Sequence, residues 1–194
     1  MQDMALDSIR HEQPLTTLVE LAAMGDREAF ERLMTLTQPR VMAMTWRMLG
    51  NEPDAKDAAQ EIYIRLYRNL ALFDREHELF AWLYRIAVNV CRDIGRDRRR
   101  RQERFSSLDA VSEPRETAVA AGQENAVARR EEREAVARAI ATLPEKERAA
   151  IVLRDVEGLD TDEVARILQS SATTVRSQIH SARKKLRALL GGSR

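Results

Sequence analysis

The sequence predicts an all-α protein of two small helical domains joined by a flexible linker. Only 7 Gly and 5 Pro occur in 194 residues, so strong turn signals are few. Ala, Leu, Arg and Glu, which favour helices, dominate the composition. Apolar residues recur at helical spacing along most of the chain, except in a polar stretch at 105–128 that contains Pro and Gly. This stretch is the predicted linker between a first domain at 15–104 and a second at 129–190.

The first domain is predicted to contain four helices, at 15–25, 27–49, 54–73 and 79–104. The first helix ends at Gly25, and Asp26 is a suitable N-cap for the second. Pro39 lacks a backbone N–H, so it should kink or divide the second helix. The sequence "GNEP" at 50–53 predicts the turn before the third helix. The fourth helix ends in a run of arginines.

The second domain is predicted to contain four shorter helices, at 129–142, 145–157, 161–168 and 172–189. Pro144 at the start of one helix and Gly158 at its end follow the usual preference of these residues. Asp160 is the predicted N-cap of the next helix, and Glu163 lies three residues later, as in a capping box. The polar sequence "QSSA" at 169–172 forms the turn before the last helix.

The last predicted helix is basic and has no acidic residue. Its apolar positions form one stripe of a helix: Val175, Ile179, Ala182 and Leu186. A single basic face of this kind is most often a solvated surface. Here the whole chain has a formal net charge of only +1, yet basic residues are concentrated in two blocks, 92–104 and 164–194. Such blocks indicate two surfaces that meet a polyanion.

A helix, a tight turn and a basic helix form the helix-turn-helix pattern, whose second helix enters the DNA major groove. Residues near the start of that helix reach base edges, and here these are Arg176, Ser177 and His180. Arg183 and Lys184 lie further along the helix, together with Lys185, and suit contacts to phosphates.

The fourth helix of the first domain differs, because it combines aromatic residues with arginines. Six of the nine aromatic residues fall between 63 and 84. Aromatic rings beside arginines can stack on unpaired bases while the arginines follow the phosphates. The alternative is that the apolar residues are core, and this is favoured for the stripe that contains Phe80, Leu83, Ile86, Ala87 and Val90. Four residues off that stripe are candidates for DNA contacts: Trp82, Tyr84, Arg85 and Asn89. The first domain could therefore bind single-stranded DNA and the second duplex DNA.

Several functional classes are disfavoured. A single cysteine, Cys91, excludes an internal disulfide and fits a reducing compartment. The polar N-terminus has no signal-peptide core, and no apolar run approaches the ~18 residues of a membrane span. We therefore expect a cytoplasmic protein without membrane insertion. No phosphate-binding loop, metal-ligand cluster or nucleophile motif is present, so neither a cofactor nor enzymatic activity is expected.

Four stretches together carry a specific resemblance: "GDREAFERL", "DAKDAAQEIYIRLYRNL", "FAWLYRIAVNVCRD" and "LPEKERAAIVLRDVEGLDTDEVARILQSSATTVRSQIHSARKKLR". In this order and spacing, over about residues 18–190, the chain resembles a bacterial RNA polymerase sigma factor of the extracytoplasmic-function (ECF, group 4) type. The resemblance implies a protein that binds core RNA polymerase and directs it to promoter DNA. The first domain would be sigma region 2 and the second sigma region 4.

The resemblance also implies roles for particular residues. The third helix would dock on the clamp coiled coil of the polymerase, and region 4 would meet the flap. The implied polymerase contacts are Asp54, Asp57, Gln60 and Glu61. The fourth helix would open the −10 element and hold a flipped base, with Phe73 and Asn89 in the base pocket and Trp82, Tyr84 and Arg85 on the melting helix. Region 4 would read the −35 element through Arg176, Ser177 and His180, with Arg154 as a further DNA contact.

The resemblance leaves some features open. Thr173, His180 and Ser181 differ from residues frequent in the family, which leaves the −35 sequence undetermined. The linker matches a stretch that threads toward the polymerase active-site channel, although a plain tether is an equal alternative. Control by an anti-sigma protein is implied. The main alternative is a LuxR-type regulator that binds duplex DNA without joining polymerase, but it does not explain the aromatic and arginine-rich helix at 79–104.

Overall fold

The computed structural model describes residues 15–73, 78–105 and 135–191, and every regular element in these ranges is helical. The N-terminal half (15–105) contains α1 Leu15–Ala23, α2 Arg27–Leu49, α3 Glu52–Asn69, a 3₁₀ turn Leu70–Leu72 and α4 Leu79–Phe105. The C-terminal half (135–191) contains α5 at 135–141, α6 Glu145–Ile151, a π-helical segment Val152–Val156, α7 Thr161–Leu168 and α8 Ala172–Gly191. The predicted all-helical class is confirmed, whereas the predicted linker lies outside the described residues, apart from Phe105.

Local sequence signals explain where the helices begin. The Asp26 side chain accepts a hydrogen bond from the backbone N–H of Ala29 at 3.1 Å, which caps α2. Asn51 caps α3 in the same way, so α3 begins two residues earlier than predicted. The predicted capping box of α7 is present, because Asp160 and Glu163 satisfy each other's backbone N–H groups.

Two helices differ in shape from what the sequence predicts. Pro39 lies inside α2, which continues through it rather than dividing. Pro39 has no N–H to donate to the carbonyl of Thr35, so that carbonyl loses its helical hydrogen bond. Both residues are exposed, so water can donate to the Thr35 carbonyl instead. The buried residues Leu33 and Val41 pack on both sides of the proline and hold the helix together. The predicted helix 145–157 is not α-helical throughout, because its second part, Val152–Val156, is π-helical.

Each half has its own set of packed helices. In the N-terminal half, α2 packs on α1, α3 and α4, and α3 packs on α4. In the C-terminal half, α8 packs on α6 and α7. The buried apolar residues of both halves belong to one continuous core, which includes Leu33, Met44, Ile62, Leu83, Val88, Leu153, Val164, Val175 and Ile179. The two halves therefore share apolar surface in this arrangement.

A cluster of polar groups lies between the two halves, and we call it the Glu157 cluster. The side chain of Glu157 is only 4% exposed. Its carboxylate accepts hydrogen bonds from Arg40 Nε at 2.9 Å and from the Tyr84 hydroxyl, and Arg47 lies 3.8 Å away. The guanidinium of Arg40 also lies over the ring of Phe80, 4.2 Å from its centroid. Burial and the neighbouring Glu157 carboxylate raise the pKa of Tyr84, so its hydroxyl stays a donor.

A second contact between the halves lies at the end of α2. Arg148 donates one hydrogen bond to the carbonyl of Met48 and another, at 2.7 Å, to that of Leu143. Gly50 ends α2 in the left-handed region, at φ 75°, and a Cβ atom at Gly50 would lie 2.7 Å from the Cβ of Ala141. The close approach of the two halves therefore requires a glycine at this position.

This contact leads to a prediction for stability. Gly50→Ala should destabilise the protein more than Gly25→Ala, because Gly25 has a similar φ of 95° but nothing within 4 Å of its Cβ position. Both substitutions incur the left-handed conformational cost of about 1–2 kcal/mol. Gly50→Ala adds an overpacking cost of about 1–3 kcal/mol against Ala141. Urea unfolding of both variants measures the difference, and equal destabilisation would show that the two halves do not pack closely here.

Candidate nucleic-acid interface

The helix-turn-helix forms in the C-terminal half as predicted. After α7, Gln169 adopts a left-handed conformation at φ 51° and turns the chain. The hydroxyl of Ser171 then accepts a hydrogen bond from the backbone N–H of Thr174 at 3.1 Å, which caps the first turn of α8. Val175 and Ile179 are buried against the rest of the C-terminal half. This packing fixes which side of α8 faces outward.

The outward side of α8 carries the predicted −35 residues. Arg176, Ser177, His180, Arg183 and Lys184 are all exposed. A shallow groove of about 340 Å³ runs along this side and is lined by Arg154, Thr161, Arg176, Ile179, His180 and Arg183. The structure therefore brings Arg154, from the π-helical segment, to the same groove as the predicted base-reading residues. Thr161 also lines this groove, although it was not among the residues predicted to contact DNA.

The cations of this surface differ in their partners. Arg154 donates to the carbonyl of Leu159 at 3.0 Å. Arg183 is bound by the Asp155 carboxylate, and this pairing raises the pKa of the Arg183 guanidinium. Arg176 and Lys184 form no ion pair with the described residues. Arg187, one turn further along the same side, is exposed and likewise unpaired among the described residues, so the freest positive charges on this side of α8 are those of Arg176, Lys184 and Arg187.

A second face lies on α4. The rings of Phe73 and Trp82 are 5.2 Å apart and both are partly buried. Arg85 and Asn89 are exposed, and their spacing from Trp82 places all three residues on one side of the helix. The structure thus brings together four of the five predicted −10 residues: an aromatic pair, a cation and an amide that can both donate and accept hydrogen bonds.

The fifth predicted −10 residue, Tyr84, lies elsewhere. It is 1% exposed and belongs to the core, so the expectation that it lies off the core stripe is wrong. At about 100° per residue, Tyr84 is about 140° around the helix from Asn89. It faces the C-terminal half and donates to Glu157. In this arrangement of the two halves Tyr84 is not accessible to DNA.

The predicted polymerase contacts lie on the exposed side of α3. Asp57 and Gln60 are exposed, whereas Glu61 accepts from Arg65 Nε at 2.7 Å. Asp54 is partly occupied, because it accepts from the Asn51 side chain and pairs with Arg98 at 3.4 Å. The same side of α3 exposes two large apolar residues that were not among the predicted polymerase contacts, Ile64 and Tyr67. The helical spacing of Ile64 and Tyr67 from Asp57 and Gln60 could have predicted this, because it places them on the polar side of α3.

Two negative observations apply to the part of the chain that the structure describes. No group of His, Cys, Asp and Glu side chains there is arranged to hold a metal ion. Among the same residues, no helix combines the length and the apolar character that a membrane span requires.

Comparison with known proteins identifies the family. Residues 33–103 match the family model of Sigma-70 region 2, and residues 133–186 match that of Sigma-70, region 4. The chain is 34% identical over 173 residues to the RNA polymerase sigma-H factor of Pseudomonas aeruginosa, which covers 87% of this chain and 90% of the relative. It is also 34% identical to the ECF RNA polymerase sigma factor SigW of Bacillus subtilis, over 86% of this chain and 91% of the relative.

Solved structures show the same fold. CnrH in complex with the cytosolic domain of CnrY aligns with a TM-score of 0.65 and 28% identity, over 92% of this chain and 98% of CnrH. The sigma factor RpoE of Bartonella quintana, solved with the anti-sigma factor NepR, aligns with a TM-score of 0.66 and 22% identity, over 85% of this chain and 98% of RpoE. These similarities do not favour the LuxR-type alternative. The chain belongs to the extracytoplasmic-function family of sigma-70 RNA polymerase sigma factors.

Proposed function

We propose that this sigma factor binds core RNA polymerase through α3, holds −10 DNA on α4 and reads −35 duplex through α8. The observation that carries the proposal is the presence of two different DNA-binding chemistries on one chain. The side of α8 that lines the groove presents cations suited to duplex DNA, and one side of α4 presents an aromatic pair beside an arginine and an asparagine. A simple duplex-binding regulator would need only the first. Transcription in vitro with core polymerase and a promoter library tests the proposal as a whole.

The domain assignment follows from the same proposal. Region 2 would occupy 15–104, the linker 105–128 and region 4 129–190. The charge distribution supports it, because residues 1–62 and 105–163 are net acidic, whereas 92–104 and 164–194 are net basic. Acidic segments suit basic surfaces of a protein partner, and basic segments suit DNA. The linker would either tether the domains or enter the active-site channel of the polymerase.

Regulation and location are further parts of the proposal. CnrH was solved in complex with the cytosolic domain of CnrY, so a protein with this fold binds a second protein. We infer that an anti-sigma protein controls this chain in a comparable way. The place of action would be the cytoplasm, because core polymerase and promoter DNA are there. The role requires no catalytic residue or cofactor from this chain.

The polymerase contact on α3 can be tested by charge reversal. Asp57→Lys should weaken binding to core polymerase by about tenfold or more, because it reverses an exposed charge at the centre of the proposed contact. Asp57 has no ion-pair partner among the described residues, and Lys is a better helix former than Asp, so helicity should be retained. Glu31→Lys on α2 is the charge-matched control. Equal core affinity for the two variants, measured by competition binding, would remove Asp57 from the interface.

The −10 face on α4 can be tested with single-stranded DNA. Asn89→Ala in the full chain should weaken binding to a −10 single strand by about 1–3 kcal/mol, as expected for loss of hydrogen bonds to a base edge. Binding to −35 duplex should be unchanged. Tyr84→Phe is the matched control, because Tyr84 is on the same helix but faces Glu157. A loss of single-strand binding in Tyr84→Phe as large as in Asn89→Ala would show that the effect is structural.

The −35 face can be tested by separating base contacts from phosphate contacts. Arg176→Ala should cost about 1–3 kcal/mol on the preferred duplex and little on scrambled duplex, because an arginine bound to guanine discriminates between bases. Lys184→Ala should weaken binding to both duplexes alike and reduce the slope of log K against log salt by about one unit. Salt titrations of the full chain measure both effects. If Arg176→Ala weakens both duplexes equally, Arg176 contacts phosphate and base reading moves to Ser177, His180 or Arg154.

A further inference from the structure

Arg183 and Asp155 form a two-point ion pair at the edge of the groove on α8. Arg183 Nε donates to Asp155 Oδ2 at 2.8 Å, and Arg183 Nη2 donates to Asp155 Oδ1 at 2.6 Å. The two side chains are 51% and 31% exposed, so the pair lies at the surface. This geometry matches the planar fork of a guanidinium to the two oxygens of a carboxylate.

The ion pair fixes the position of the Arg183 guanidinium. A solvent-exposed arginine without a partner would sample many rotamers, and two parallel hydrogen bonds remove most of that freedom. Asp155 itself is well placed to do this. It lies in the π-helical segment, two residues after Leu153, and both Leu153 and Val152 are fully buried in the core. The remaining N–H groups of Arg183, on Nη1 and Nη2, stay available to a ligand in the groove.

The other cations of α8 show that this pairing is selective. Arg176 lines the same groove without an ion pair among the described residues, and Lys184 and Arg187 are likewise unpaired there. Lys185 is paired, with Glu147 at 2.8 Å, but it lies about 200° around the helix from Arg183 and does not line the groove. Among the described residues, Arg183 is thus the one arginine of the groove that is held by an acid, whereas Arg154 donates to a backbone carbonyl and Arg176 has no ion pair.

We propose that Asp155 is a positioning residue that determines the specificity of the −35 interface by holding Arg183 at one place in the groove. This inference rests on the proposed −35 function of α8. Arg183 then contacts one backbone phosphate, and that contact sets the register in which Arg176 and His180 meet the bases, because phosphate contacts orient a protein on the duplex. On random DNA the carboxylate has a second effect. It neutralises one positive charge and so lowers the affinity for duplexes that do not match.

The test is a salt titration of the full chain with Asp155→Asn. The probes are a duplex that the wild-type chain enriches from a random pool and a scrambled version of it. Release of Arg183 should steepen the slope of log K against log salt on the scrambled duplex by about 0.9, the value for one added phosphate contact. The affinity ratio of selected to scrambled duplex should fall by about fivefold or more, the lower range of what one well-placed side chain contributes.

Two further variants separate positioning from a general change of charge. Glu147→Gln adds the same charge and releases Lys185 on the other side of α8, so it should leave the affinity ratio unchanged. Asp155→Asn combined with Arg183→Gln should give the ratio of Arg183→Gln alone, because Asp155 acts through Arg183. Circular dichroism and thermal unfolding should match the wild type for all variants.

The outcomes distinguish the inference from the function on which it rests. If the wild-type chain enriches no duplex, the proposed −35 function is wrong. If the wild type enriches a duplex but Asp155→Asn keeps its slope and ratio, Asp155 has no positioning role. An equal fall of the ratio in Glu147→Gln would also overturn the inference, since it would show that any added charge lowers specificity.

Discussion

The carboxylate of Glu157 lies between the two helical halves with almost no access to water, and their arrangement depends on how that charge is satisfied. An unpaired carboxylate at such a site would cost several kcal/mol. Here Arg40 and Tyr84 donate to it, and both belong to the N-terminal half. The guanidinium of Arg40 also lies over the ring of Phe80. Since these partners are supplied only when the halves are in contact, the Glu157 cluster links the core of one half to that of the other.

Ion pairs also hold cations on α8, and they lie on both sides of that helix. Acidic residues from the segments beside α8 hold some of its cations and leave others exposed. Net charge alone would treat all these cations as equivalent contributors to DNA affinity. The ion pairs divide them into cations with fixed positions and cations that are free to move. Only the free cations act as they would on a general polyanion-binding surface.

Features set by neighbouring residues could be predicted from the sequence, and features set by distant ones could not. The caps at Asp26 and Asp160 and the turn before α8 depend on residues a few positions apart, and all three form as expected. The exposure of Arg176 and His180 follows from the period of their own helix. The burial of Tyr84 could not be predicted from its own helix, because it depends on Glu157, which lies 73 residues away. No local pattern shows which polar residue will be covered by another half of the chain.

The contact between the halves also limits how far the molecule can reach. A compact chain of this length is about 40 Å across. Promoter elements named for positions −10 and −35 lie about 25 base pairs apart, which is about 85 Å of straight B-DNA. One molecule with the Glu157 cluster intact cannot span both elements. Simultaneous contact with them therefore requires the halves to separate, which would return Glu157, Arg40 and Tyr84 to water, and the hydration of these groups offsets part of the contact energy that is lost.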